Sequence, residues 1–429
     1  MRKYNTILIL FVSLQRNQLN TTNMTLEELK ETANNNEFHK FINTHMSCDT
    51  NKLRLKSHKD CDFDVNYAIL QIECKNRIKK KLPELFDKHN FLFPNTLSTE
   101  QCTAESIAKF HASLLSPNAS VLDLTAGLCI DAYYISKSVK SVTALEINPE
   151  TAIVSKFNMD THTDNVTVIC EDCNDFIKNT SLHYDVIFID PARRGSNNKR
   201  LFGLSDCEPN VLELIPSIKK LTDTLYIKAS PMLDITQSIK ELNNKVSDIW
   251  VNGINNECKE VLFKIELNNN SEMLSPNIHT FNFENDAVQH FSSVYSKNHV
   301  VSFPCKTPEV NEYLYEPNRC IMKAQVYDAL ESEYNISRIH NNSHLFVNET
   351  LIEDFPGRRF IITSIIPFKS NAIKSISKSF PQINVSVRNF RLSAEELKKK
   401  LKVNDGGNNY LFGTTDKENN AILLICKKA

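Results

Sequence analysis

Val121-Leu-Asp-Leu-Thr-Ala-Gly-Leu-Cys129 is an apolar run ending in a glycine-containing turn, and a helical stretch begins at about Asp131. A strand, a tight turn and a helix at the C-terminal edge of a sheet present backbone N–H groups and a helix start to a ligand. Working outward from this first strand, Ser120–Leu124, apolar runs of β type recur at Ser141–Ile147, Val166–Ile169, Tyr184–Ile189 and Thr224–Lys228, with helical stretches between them. That alternation is the signature of a parallel sheet with crossover helices. Two further runs, Asp248–Asn252 and Glu260–Glu266, are separated by a short polar stretch holding Gly253 and no helix, which predicts an antiparallel hairpin. The expected fold is α/β, a doubly wound Rossmann-like sheet of five parallel strands closed by that hairpin. A dehydrogenase sheet stays parallel to its end and carries Gly-x-Gly-x-x-Gly, which is missing here.

The first four strands end in acids: Asp123, Glu146, Asp172 and Asp190. A carboxylate at the end of the second strand accepts both hydroxyls of a ribose, and one after the third is placed to accept from an adenine amino group. Any single strand-end acid is as easily a turn or helix cap. Four in register are hard to explain by packing, because buried carboxylates are costly unless paired or ligand-bound. The fourth strand continues as Asp190-Pro-Ala-Arg193-Arg194, where the arginines suit a phosphate or carboxylate contact.

The order Asp-x-x-x-Gly, then Glu, Asp and Asp-Pro at successive strand ends, closed by a hairpin, resembles the class I S-adenosylmethionine-dependent methyltransferases. Ser98-Thr-Glu-Gln-Cys-Thr-Ala-Glu105, Lys228-Ala-Ser-Pro231, Tyr315-Glu-Pro-Asn318, Phe355-Pro-Gly-Arg358, Val387-Arg-Asn-Phe390 and Asp405-Gly-Gly407 add to it. Together they resemble bacterial methyltransferases with a C-terminal THUMP-like domain. The resemblance implies S-adenosylmethionine as cofactor, with Asp123, Gly127 and Asp131 at its methionine end, Glu146 at the ribose and Asp172 at the adenine. Thr125, Ile147, Cys173 and Asp190 complete the implied cofactor site. Asp190 and Arg193 are the implied catalytic residues, Asp190 accepting from an exocyclic amine.

The turn departs from the pattern: the family turn is typically Gly-Gly-Leu-Gly, whereas this chain has Ala126-Gly-Leu-Cys129, with Cys in place of the last Gly. A side chain there obstructs a ligand if it faces the site. A uracil-5 methyltransferase would need a nucleophilic Cys after the fifth strand, and Lys228-Ala-Ser-Pro231 holds none. The expected activity is methylation of a nitrogen of an RNA base. The alternatives are a non-catalytic RNA-binding or assembly factor with a degenerate cofactor site, and a methyltransferase with a non-RNA acceptor.

Bulk properties bound the rest. The 429 residues are 41% hydrophobic and 24% charged, ordinary for a soluble globular protein, and the net charge of −1 speaks against a uniformly basic coat. Yet residues 355–429 hold 14 Lys and Arg against 5 Asp and Glu, an asymmetry that points to nucleic acid and predicts RNA as partner. On one helix, Lys398, Lys399, Lys400 and Lys402 have the blander reading of a solvated face. Only 8 Gly occur, so each survivor is a candidate for a backbone position that needs one.

The 12 Cys have no framework spacing, and the one CxxC, Cys170–Cys173, lacks a second ligand pair. Reduced thiols, a cytoplasmic location and no metal are therefore expected. The apolar run Thr6–Leu14 is too short to span a bilayer, so no membrane association is expected. An upstream start, with Met24 opening the folded protein, explains it better. The expected domains are an N-terminal helical region, 24–97; the methyltransferase domain, 98–267; an α+β ferredoxin-like region, 271–354; and a basic THUMP-like domain, 355–429.

Overall fold

The computed structural model describes residues 24–56, 61–193, 203–268, 275–284, 287–295, 304–369 and 376–429. The N-terminal apolar run and Arg194 lie outside these residues, as does the side chain of Arg193. Two compact units emerge. The first holds residues up to Lys228 together with Glu266–Asn268, and the second holds most of the chain from Ala229 to the C-terminus.

In the first unit, β1 (Ser120–Asp123), β2 (Ser141–Glu146), β3 (Val166–Cys170), β4 (Val186–Ile189) and β7 (Thr224–Ala229) form a parallel sheet in the order 3-2-1-4-7. β4 is buried along its whole length, as a strand covered on both faces must be. A small antiparallel pair, β5 (Ala192–Arg193) and β6 (Cys207–Glu208), comes after β4. Chain order runs outward from β1 in both directions, so the C-terminal ends of β1 and β4 flank the switch point where doubly wound sheets bind ligands.

The N-terminal helices belong to the same unit. Phe38, Ile42, Tyr67, Ile69 and Ile72 share one core with Val154 and Phe157 of the helix Pro149–His162, which comes after β2. Buried amides stitch this region together. Asn158 exchanges hydrogen bonds with the backbone of Leu92 at 2.9 and 2.8 Å, and Gln71 with that of Phe93, both at 2.9 Å. This clamp fixes the segment Phe91–Phe93, which leads directly into Asn95 and Thr96.

The second unit contains the predicted hairpin, β8 (Val246–Ile254) antiparallel to β9 (Glu257–Glu266). Both strands are longer than the sequence suggests, because Asn255 and Asn256, each at positive φ, make a two-residue turn. Leu267, back in the first unit, donates its N–H to the carbonyl of Asp223 at 2.8 Å, just before β7. Beyond the expected hairpin, β10 (Asn277–Glu284) pairs parallel with β8, and β11 (Ala287–Val294) pairs antiparallel with β10.

A separate seven-stranded sheet has the order 13-14-12-15-18-17-16. It comprises β12 (Tyr313–Pro317), β13 (Ser337–Arg338), β14 (Phe346–Asn348), β15 (Gly357–Pro367), β16 (Asn384–Val387), β17 (Asn409–Thr415) and β18 (Ala421–Lys428). Its faces bury two clusters, one around Leu314, Phe360 and Phe412, the other around Ile383, Leu397 and Leu423. The capping box predicted at Ser393–Glu396 is formed and opens the helix Ala394–Leu401.

Candidate active site

A cavity of about 1170 Å³ opens at the C-terminal ends of β1 to β4 in the first unit. All four strand-end acids line it, with Thr125, Gly127, Asp131, Ile147 and Cys173. Nine of the ten residues singled out from sequence therefore meet in one place. The tenth, Arg193, contributes its backbone to β5, and its side chain is outside the described residues.

The turn after β1 shapes the floor. Gly127 is left-handed at φ +53°, and a Cβ there would meet only Glu146 Oε2, at 4.0 Å. Cys129 is also left-handed, at φ 58°, which costs a non-glycine residue roughly 1–2 kcal/mol. Its thiol is fully buried and Sγ lies 3.9 Å from the Gly127 carbonyl, which also accepts from Ser155 Oγ at 3.0 Å. Burial pushes the thiol up, with Asp123 adding to it. Cys129 does not line the cavity. The obstruction expected from its sequence is absent, because the helix that starts at Ile130 turns this side chain inward.

Each acid has a distinct environment. Asp123 is buried, and its Oδ1 accepts from the Thr125 N–H at 3.1 Å. Burial first, then Asp131 and Asp190, raise its carboxyl to about 7, against the pull of Thr125 and Lys228. Glu146 accepts from the Asn148 N–H at 2.7 Å through Oε1, leaving Oε2 on the side of Gly127. Asp172 caps the helix Cys173–Asn179, its Oδ1 accepting from Asn174 N and Nδ2, both at 2.7 Å. The capping reading therefore holds for Asp172 while it also faces the cavity.

Asp131 and Asp190 are joined by a network that sequence reading missed. Lys228, at the end of β7, places Nζ 2.7 Å from Asp190 Oδ2 and 3.6 Å from Asp131 Oδ2, and donates to Thr103 Oγ1 at 2.7 Å. Thr103 donates to Asp131 Oδ2, and fully buried His111 donates Nδ1–H to Asp131 Oδ1 at 2.9 Å. Burial alone would raise the Asp131 carboxyl; Lys228, then His111 and Thr103, hold it well below the usual range. The Asp190 N–H donates to Thr125 Oγ1 at 2.7 Å, locking the end of β4 to that of β1. In the sequence, Lys228 and Thr103 lie in motifs noted for resemblance alone, and no local spacing connects them.

Among the described residues, no group of three His, Cys, Asp or Glu is arranged to hold a metal ion, and no helix is long and apolar enough to cross a membrane. None of the twelve cysteines is in a disulfide.

Comparison with known proteins places the C-terminal part of the chain. Residues 313–356 match a family of ferredoxin-like domains and 357–428 a family of THUMP-like domains. The crystal structure of a candidate methyltransferase from Porphyromonas gingivalis W83 is 28% identical, covers 93% of this chain and 98% of its own, and superposes with a TM-score of 0.83. A curated protein of Mycoplasma mobile, named an uncharacterized RNA methyltransferase, is 29% identical over 109 residues. That match covers 25% of this chain, and the chain spans only 27% of that relative's length. With the parallel 3-2-1-4-7 sheet and the β8–β9 hairpin, these likenesses show that the chain joins a Rossmann-like methyltransferase fold to ferredoxin-like and THUMP-like C-terminal domains.

Proposed function

We propose that this protein is a cytoplasmic S-adenosylmethionine-dependent methyltransferase acting on a nitrogen of an RNA base. The observation that carries the reading is the convergence of Asp123, Glu146, Asp172 and Asp190 on one cavity at the switch point of the sheet. The cavity is roomy enough for a nucleoside-sized ligand, as ligand sites of about 300–1,000 Å³ are. Its acids suit a cationic one.

In this reading Asp123, Thr125, Gly127 and Asp131 hold the methionine end of the cofactor, Glu146 and Ile147 the ribose, and Asp172 and Cys173 the adenine. When bound, S-adenosylmethionine supplies an electrophilic methyl group on a sulfonium centre. Asp190 accepts a hydrogen bond from the acceptor amine and orients its lone pair, so that positioning does most of the catalytic work. Lys228 holds the Asp190 carboxylate in place and couples it to Asp131 through Thr103. Arg193 and Arg194 contact a phosphate of the acceptor. The basic 355–429 region supports RNA as that acceptor, and cysteines held as thiols outside any disulfide support a reducing compartment.

The test is transfer of labelled methyl from S-adenosylmethionine to total RNA from a strain lacking the gene. Label in that RNA, absent from wild-type RNA and lost with Asp190→Ala, is expected. Cofactor binding with no label in any RNA would sink the RNA reading. Cofactor affinity unchanged in both Asp123→Ala and Glu146→Ala would sink the assigned cofactor site.

A further inference from the structure

The second compact unit carries a charge imbalance that the proposed methyl transfer does not use. Glu316, on β12, is 2% exposed and stands in register with Arg358 on β15. Arg358 Nε donates to Glu316 Oε2 at 2.6 Å, and Arg388, just past β16, brings Nη2 within 2.6 Å of Oε1 as an ion pair. Arg319, exposed at the start of the helix Arg319–Ala324, is close enough for its charge to act on Arg388. Two guanidinium groups therefore share one carboxylate, and a third, that of Arg319, adds its charge from the neighbouring helix start.

Arg388 is the most constrained of the three. Only 21% of its side chain is exposed; Nη1 donates to the Val387 carbonyl at 3.1 Å, and buried Nε has no acceptor. Burial pushes its guanidinium below the usual range; Arg319 and Arg358 push the same way, against Glu316. Asp328 and Glu331, the acids on the neighbouring helix Tyr327–Tyr334, pair with Arg338. A purely structural ion network would balance its charges, because unpaired buried charge is costly and is repelled more strongly where water is excluded. This cluster leaves two positive charges uncompensated by Glu316.

We propose that Arg319, Arg358 and Arg388 form a binding site for a phosphate group. Guanidinium forks match phosphate oxygens bidentately, and Glu316 orients two of the forks. Glu316 and Arg319 come from the ferredoxin-like segment, Arg358 and Arg388 from the THUMP-like one, so the bound phosphate ties the two together. The phosphate is that of an RNA strand if the function proposed above holds, and that part of the inference rests on that reading; a free phosphate compound is the other source.

The experiment uses the full chain and a short labelled single-stranded RNA, with affinity measured across a salt series. Arg319→Gln is the main variant, because its side chain is exposed and takes no part in the Glu316 ion pairs; Arg358→Gln is the second. Each is expected to weaken binding on the order of tenfold and to reduce the slope of log affinity against log salt by about 0.7, the single-strand value per phosphate. Unchanged affinity and slope in both variants would overturn the proposal. If wild type binds no RNA, thermal stabilisation by inorganic pyrophosphate that disappears in Arg319→Gln identifies a free phosphate compound as the ligand; no stabilisation also overturns the proposal. Methyl transfer is assayed on the same preparations. Arginine-dependent RNA binding without any methylation keeps this site and sinks the proposed function, whereas RNA methylation undiminished when all three arginines are replaced does the reverse.

Discussion

Replacing Asp123 by Asn should stabilise the protein, and the gain should depend on pH. Asp123 is buried, and burial with its acidic neighbours raises its carboxyl to about 7. In the unfolded chain the same group titrates near its ordinary value of about 3.9. At about pH 4 and below, both states are largely protonated and Asp123 contributes no difference. As pH rises from about 4 to 7, the unfolded carboxyl ionises while the native one stays protonated, so the unfolded state is progressively favoured. Above about pH 7 the full difference of some three units applies, on the order of 4 kcal/mol at 1.36 kcal/mol per unit.

Asn keeps the acceptor that Thr125 N–H uses and cannot ionise. The variant should therefore melt on the order of 10 °C higher than wild type near pH 8, taking roughly 2–4 °C per kcal/mol for a domain of this size. Near pH 4 the two should melt together. Thermal unfolding of both proteins across that range is the assay, and a gap that is absent or independent of pH refutes the argument. Under the proposed function the same variant loses cofactor affinity, the usual trade between stability and a strained site.

The site carries three further expectations. Lys228→Met removes the cation shared by Asp190 and Asp131 and should cost about 3 kcal/mol of stability in urea unfolding, together with most methyl transfer; an unaltered midpoint would mean that the network holds nothing in place. Asp131 has a depressed carboxyl, so its contribution is present above about pH 4 and lost as pH falls further. Asp131→Asn should therefore be less stable than wild type near neutrality, with a deficit that shrinks on acidification, as urea midpoints at several pH values would show. Cys129→Gly should leave S-adenosylmethionine affinity within about twofold by calorimetry, because the thiol is buried away from the cavity and the roughly 1–2 kcal/mol of relieved backbone strain offsets the lost packing; a large gain in affinity would show that the thiol does obstruct the ligand.

The strand-end acids were legible because each closes or closely follows an apolar run, so a local pattern places it at a sheet edge. The Lys228 network was not legible. It joins Thr103 to a residue 125 positions away, and only the order of strands in the sheet brings them together. The inward turn of Cys129 was equally hidden, since residue type alone does not say which way a left-handed Cβ points. The hairpin was visible from Gly253 and its polar flank. The two strands that extend it, β10 and β11, were not, because their alternation of His279, Phe281 and Phe283 with Ile278, Thr280 and Asn282 fits any half-buried strand and names no neighbour.

The cavity wall has a consequence for how such a protein meets its acceptor. Among the described residues, eight carboxylate side chains line it against one lysine and one histidine. Its potential therefore draws cations and repels any polyanion, and the repulsion reaches roughly 8–10 Å into ordinary saline. Beyond the phosphate contact proposed for Arg193 and Arg194, a nucleic acid must be held by basic surface away from the cavity, strongly enough to bring one base against that field. Salt then acts on the two regions in opposite senses, loosening the remote grip while relieving the local repulsion. Turnover should accordingly pass through an optimum in ionic strength, while affinity for the RNA only declines.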